Sequence, residues 1–198
     1  STRKTISKNQ ARGRAHYFDA FDVDPDGRMD ILMTASGSGE LNVWSPDDSF
    51  DDWDKKLLMK KPGLTNVTHG NLNLISDKDI IYSNGHGVGI FGLMAPAYVE
   101  EVIIDDHVKD VHALAAGDFT GNTLSDVAAV SFTEKTVGWY ENLGDGTFRK
   151  HQIDLGRNQE AYDLRAEDIN ADGRIDLLIA GRQSWNVVVL LNLKNSNQ

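Results

Sequence analysis

Cysteine is absent from this 198-residue chain. Disulfides, thiol catalysis and cysteine-bound zinc are therefore excluded, while the compartment stays open. No apolar run reaches the length that spans a bilayer, so no membrane insertion is expected. The opening residues STRKTISKNQ contain no apolar signal core. Basic residues are the poorer charge class: 20 Lys and Arg face 30 Asp and Glu, for a net charge of −10. Without a basic patch to meet phosphates, no nucleic-acid partner is expected. What remains is an acidic chain, 40% hydrophobic, long enough for one domain with its own core.

The acidic residues cluster. DVDPDGRMD at 22–30 recurs as DINADGRID at 168–176, more loosely as DFTGNTLSD at 118–126, and in degraded form as NLNLISDKD at 71–79. The starts 22, 71, 118 and 168 lie 49, 47 and 50 residues apart. A period of that size marks a repeat architecture. The flanks repeat too. AHYFDAF, VHALAAG and AYDLRAE precede the loops; MDILMTA, DIIYSNG, DVAAVSF and IDLLIAG follow them. Further runs are ELNVWS, GVGIFG, TVGWYEN and NVVVLLN, then KKLLMKK, VEEVII and FRKHQI. They are short, rich in β-branched and aromatic residues, and bounded by turn formers, so they read as strands.

Four strands per unit of about fifty residues predict an all-β chain, a β-propeller of four four-stranded blades. The blades fall at about 8–61, 62–107, 108–154 and 155–198. The last unit stops after its third strand. RKTIS at 3–7 stands upstream of Asp22 as RKHQI at 149–153 stands upstream of Asp168, so an N-terminal strand is expected to complete the fourth blade. Ring closure would leave no free sheet edge. A fragment of a larger propeller is the alternative.

The loops are not EF-hands. Those need an acidic residue at position 12 between two helices. Position 12 is Met33, Ala129 or Ile179 here, and the flanks are strands. A shorter cation loop fits better. Oxygen ligands at positions one, three, five and nine can converge, with a carbonyl at position seven, and hard ligands on a flexible loop suit Ca²⁺. The candidates are Asp22, Asp24, Asp26, Asp30 and the Arg28 carbonyl. In the third unit they are Asp118, Thr120, Asn122, Asp126 and Leu124; in the fourth, Asp168, Asn170, Asp172, Asp176 and Arg174. The second unit offers only Asn71, Asn73 and Asp79, with Ile75 at position five, and no metal is expected there. The competing reading is a set of Asp/Asn/Gly turns that need no ion.

The D-x-[DN]-x-[DN]-G-x-x-D loop between strands, followed by a run such as TVGWYENLGDGTF, resembles the FG-GAP/VCBS repeat, which also occurs in the integrin α-subunit head. That resemblance implies propeller blades with Ca²⁺ in the loop between first and second strands. It also implies an extracellular or periplasmic protein. It does not imply one activity, since such repeats serve adhesion modules, lectins and carbohydrate lyases or dehydratases.

The opposite end of the blades is the expected ligand face. Six residues before the loop starts stand His16, Thr65, His112 and Tyr162, which places His16, His112 and Tyr162 around the axial mouth. Arg12, His86, Arg182 and Trp185 lie in loops on the same side and could grip a carbohydrate or protein ligand. Two readings follow. The first is a non-catalytic binding or scaffold module. The second is a carbohydrate lyase or dehydratase using His16, His112 and Tyr162. No nucleophile elbow, zinc-protease helix motif or phosphate loop is present.

Overall fold

The computed structural model describes residues 5–6, 14–76, 78–156 and 161–193. Fifteen strands and no helix occur among the described residues. The first sheet holds β1 (Ala15–Phe21), β2 (Asp30–Ala35), β3 (Glu40–Pro46) and β4 (Trp53–Lys60). The second holds β5 (Leu64–Gly70), β6 (Asp79–Asn84), β7 (Val88–Leu93) and β8 (Glu101–Lys109). The third holds β9 (Val111–Gly117), β10 (Asp126–Ser131), β11 (Thr136–Asn142) and β12 (Phe148–Ile153). The fourth holds β13 (Ala161–Glu167), β14 (Asp176–Gly181) and β15 (Asn186–Leu190). Every sheet is an antiparallel meander in chain order.

Burial explains the residue choice along each meander. The second strands of the two middle sheets are covered on both faces: β10, DVAAVS, is buried at every position and β6 at all but its last. A strand covered on both faces needs a continuous apolar run rather than alternation. The outer strands meet water. In β4, WDKKLLMK, and β12, FRKHQI, exposed Lys and Arg interrupt the apolar positions, which also discourages pairing with other edges.

The core lies between sheets. Phe21, Leu32 and Leu41 of the first sheet pack with Leu64, Ile80 and Tyr82 of the second. Ile81, Ile90 and Ile104 of the second pack with Leu114, Val127 and Tyr140 of the third. Ala113, Ala128 and Val130 of the third pack with Leu164, Leu177 and Ile179 of the fourth. Neighbouring first strands follow the same order, β1 on β5, β5 on β9 and β9 on β13. All four line one cavity of ≈ 580 Å³.

The fourth sheet departs from the expected four strands: it has three among the described residues. Of the segment 3–7 expected to complete it, Thr5 and Ile6 are described and carry no strand, and the rest lies outside the described residues. Val187 and Val189 on β15 are exposed.

Candidate functional site

The acidic loops join first to second strands and share one wiring. The position-one carboxylate accepts at least two backbone N–H groups across its own turn. Asp22 accepts those of Asp26 and Gly27 at 3.1 Å each. Asp118 accepts those of Asn122 and Thr123 at 3.0 and 2.8 Å. Asp168 accepts those of Asp172 and Gly173 at 3.0 and 2.8 Å. Position five then accepts the N–H of position seven in all three loops. Gly27 and Gly173 at position six have φ of 85°, a left-handed turn that glycine takes without Cβ strain. In the second unit the wiring differs: Leu74 and Ile75 donate to Asn71 and Asn73.

Position nine is a buried hub in all four units. Asp30, Asp79 and Asp126 are fully buried and Asp176 nearly so. One oxygen accepts the N–H of loop position two, from Val23, Leu72, Phe119 or Ile169. In three units the other oxygen accepts an N–H at the end of the third strand, from Ala95, Asn142 or Asn192. Burial lifts the Asp126 carboxyl above its usual range, against the pull of the Asn142, Phe119 and Thr120 N–H groups. The second unit keeps this Asp although its loop positions one, three and five carry no carboxylate, and there it still ties loop to sheet.

In the first loop, carboxylate oxygens of Asp22, Asp24 and Asp30 lie within 4.8 Å of one another. Asp30 Oδ1 is buried and has no hydrogen-bond partner among the described residues. Asp26 is held by the Arg28 guanidinium, and Lys78 Nζ stands 3.2 Å from Asp22. The fourth loop repeats the Arg174–Asp172 pair. The residues fit an oxygen-ligated ion, with cationic side chains at the rim as competitors.

At the other end of the sheets the sequence-predicted residues meet. The His112 ring lies 4.0 Å from Tyr162, and its Nδ1–H donates to the Tyr162 carbonyl at 2.8 Å. His16 stands 6.2 Å from His86. Burial first, then the nearby His86 and His112, lowers the His16 pKa. The Arg182 guanidinium sits 5.2 Å over Tyr162 and 5.4 Å over Phe132. Trp185 is 92% exposed. Thr65 is buried and its hydroxyl accepts the Gly85 N–H. Arg12 lies outside the described residues.

Sequence reasoning missed Tyr17, Phe132 and an Asp–His pair. Tyr17 lies 6.5 Å from His112, edge to face. Burial, then Asp163 and Tyr162, pushes its hydroxyl up to about 12, so β1 and β13 feel each other across the cavity. Inside that cavity His69 Nδ1–H meets Asp19 at 2.7 Å, and the His69 ring stacks on Phe21 at 4.3 Å. Burial alone would raise the Asp19 carboxyl; the hydrogen bond and charge of His69 bring it below its usual value.

Fold and loops define a class: an all-β chain of repeated antiparallel units, each opened by an Asp/Asn turn anchored on a buried Asp. Residues 118–179 match the family model described as an FG-GAP-like repeat, so the chain carries an FG-GAP-like repeat across its third and fourth units. A search of curated proteins found no match.

Proposed function

We propose that the chain is a Ca²⁺-stabilised β-propeller acting as a binding module, with its ligand at the mouth formed by His16, His86, His112, Tyr162 and Arg182. The observation that carries this reading is the cavity lined by all four first strands. Successive antiparallel meanders whose first strands line one cavity are what propeller blades would give. The exposed edge of β15 is where a further strand, from residues 3–7, would complete the fourth blade.

Asp22, Asp24 and Asp30 would hold one ion, and Asp168, Asn170 and Asp176 a second; Asp118, Thr120 and Asn122 form a set with less charge. The ion's contribution is to neutralise carboxylates that otherwise repel. It stabilises the native state because the unfolded chain lacks the converged ligands. At the mouth, Tyr162, Phe132 and His112 offer ring faces and Arg182 a fixed charge. That combination suits a flat polar ligand such as a sugar, stacked on one side and hydrogen-bonded on the other.

The test has two arms. Removal of divalent ions by chelator should lower the melting temperature, and Ca²⁺ should restore it; an unchanged melt after verified removal overturns the calcium claim. A glycan array followed by product analysis should show binding without conversion, abolished in Tyr162→Ala and Arg182→Ala at unchanged melting temperature. Conversion lost in a folded His112→Ala variant would replace the module with an enzyme.

A further inference from the structure

The four buried Asp hubs are not equivalent. The second-oxygen partner is always the N–H sixteen residues on: Ala95 for Asp79 at 2.8 Å, Asn142 for Asp126 at 2.8 Å, Asn192 for Asp176 at 2.7 Å. Sixteen residues after Asp30 stands Pro46. The register is the same: Ile31 pairs Trp44 as Val127 pairs Tyr140 and Leu177 pairs Leu190. Proline has no N–H. Asp30 Oδ1 is therefore left buried and without a donor among the described residues, which is costly for a carboxylate unless another partner serves it.

That oxygen belongs to a residue whose carboxylate converges with Asp22 and Asp24 within 4.8 Å. Among the described residues this is the one group of three acidic side chains that meets so closely. Asp24 is exposed, while Asp30 is fully enclosed. In the other units the position-nine carboxylate spends both oxygens on backbone donors and competes less well for a cation.

We infer that the first loop is the primary divalent-cation site of the chain, and that Pro46 makes it so by withholding a donor and leaving Asp30 Oδ1 to the ion. This rests on the calcium reading above and ranks the loops within it. The other loops would bind more weakly because their hubs are already satisfied. Pro46 is a positioning residue by omission: it touches no ion but sets what Asp30 can offer.

The experiment uses the whole chain stripped by chelator and titrated with Ca²⁺, followed by amide NMR and calorimetry. The position-six amides of Gly27, Thr123 and Gly173 report the three loops separately. In the unaltered chain Gly27 should saturate first. In Pro46→Ala the restored N–H competes for Asp30 Oδ1, so the first-loop affinity should fall about tenfold, the size of one charge-assisted hydrogen bond, with Gly173 unchanged. The chelated Pro46→Ala variant should also melt no lower than the unaltered chain. Asp24→Asn, at an exposed position, gives a second route and should weaken Gly27 saturation alone. Calcium binding with Gly173 first, or a Gly27 titration indifferent to Pro46→Ala, overturns the ranking and leaves the calcium reading standing. No calcium response at any of the three amides overturns both.

Discussion

Asp126 and Asn142 are joined by a backbone N–H that donates, at 2.8 Å, to a fully buried carboxylate. The same carboxylate holds the Phe119 and Thr120 N–H groups at 2.9 and 3.1 Å. One side chain thus closes the acidic loop and pins it to the third strand. Equivalent Asp79 does so for Leu72 and Ala95 in a unit with no carboxylate at loop positions one, three or five.

Asp79→Ala is expected to destabilise the chelated chain by about 3 kcal/mol, since the buried Leu72 N–H and the part-buried Ala95 N–H lose their acceptor. Chemical denaturation in chelator measures it directly. A loss appearing only with calcium present would mean that Asp79 is a ligand rather than a hub.

The loops were legible in the sequence because ligand-type residues recur at fixed offsets, and strands because their apolar runs recur with them. The hub was half legible. Asp at position nine survives in the degraded second copy, whose positions one, three and five carry no carboxylate. Its partner is a backbone N–H, which carries no residue signature, and only Pro46, where that N–H is missing, marks the position. The Asp19–His69 pair joins strands of two different sheets; three and two residues before successive loop starts, the two are one period apart. Phe132 reaches the mouth through the turn between β10 and β11, and nothing in its local sequence gives the direction.

Asn142 also latches units together. Its side-chain amide donates to the Leu72 carbonyl in the preceding unit's loop at 2.9 Å, and Asn192 does the same to Phe119 at 2.7 Å. Tyr98 supplies the hydroxyl that reaches the matching carbonyl, Val23, at 3.3 Å. Asn142→Ala should cost about 1–2 kcal/mol by leaving the buried Leu72 carbonyl without its donor. Hydrogen exchange should then speed up in the 71–76 loop more than in β12. Equal acceleration throughout would mean that the third sheet itself, rather than the junction, had been weakened.

His16 gives a pH prediction. Burial and then the charges of His86 and His112 hold its pKa below the ordinary value. A folded-state value below the unfolded one means that the native chain binds this proton less readily. Its contribution to stability is complete above about pH 6.5 and is lost as pH falls through the lower, folded-state pKa. The imidazole NMR titration of His16 should have its midpoint below that of an unfolded reference, and His86→Gln should move it upward. A His16 midpoint at or above the reference would sink the claim that the histidines meet at the mouth.

In the proposed propeller, the edge of β15 decides between a closed ring of four and part of a larger one. Unit three pairs Trp139 with His151 across β11 and β12. Carrying that register forward by one unit puts Thr5 opposite Val189. Since the chain has no cysteine, Thr5→Cys with Val189→Cys gives a single possible intramolecular disulfide. Pairing at that register brings the two Cβ atoms within bonding reach. Mild oxidation of the dilute double variant should give a faster-migrating monomer with a raised melting temperature. Thr5→Cys with Val187→Cys, displaced by two residues, should crosslink more slowly. Disulfide-linked dimers in place of that monomer would show that β15 takes its partner from outside the chain, as a blade within a larger propeller must.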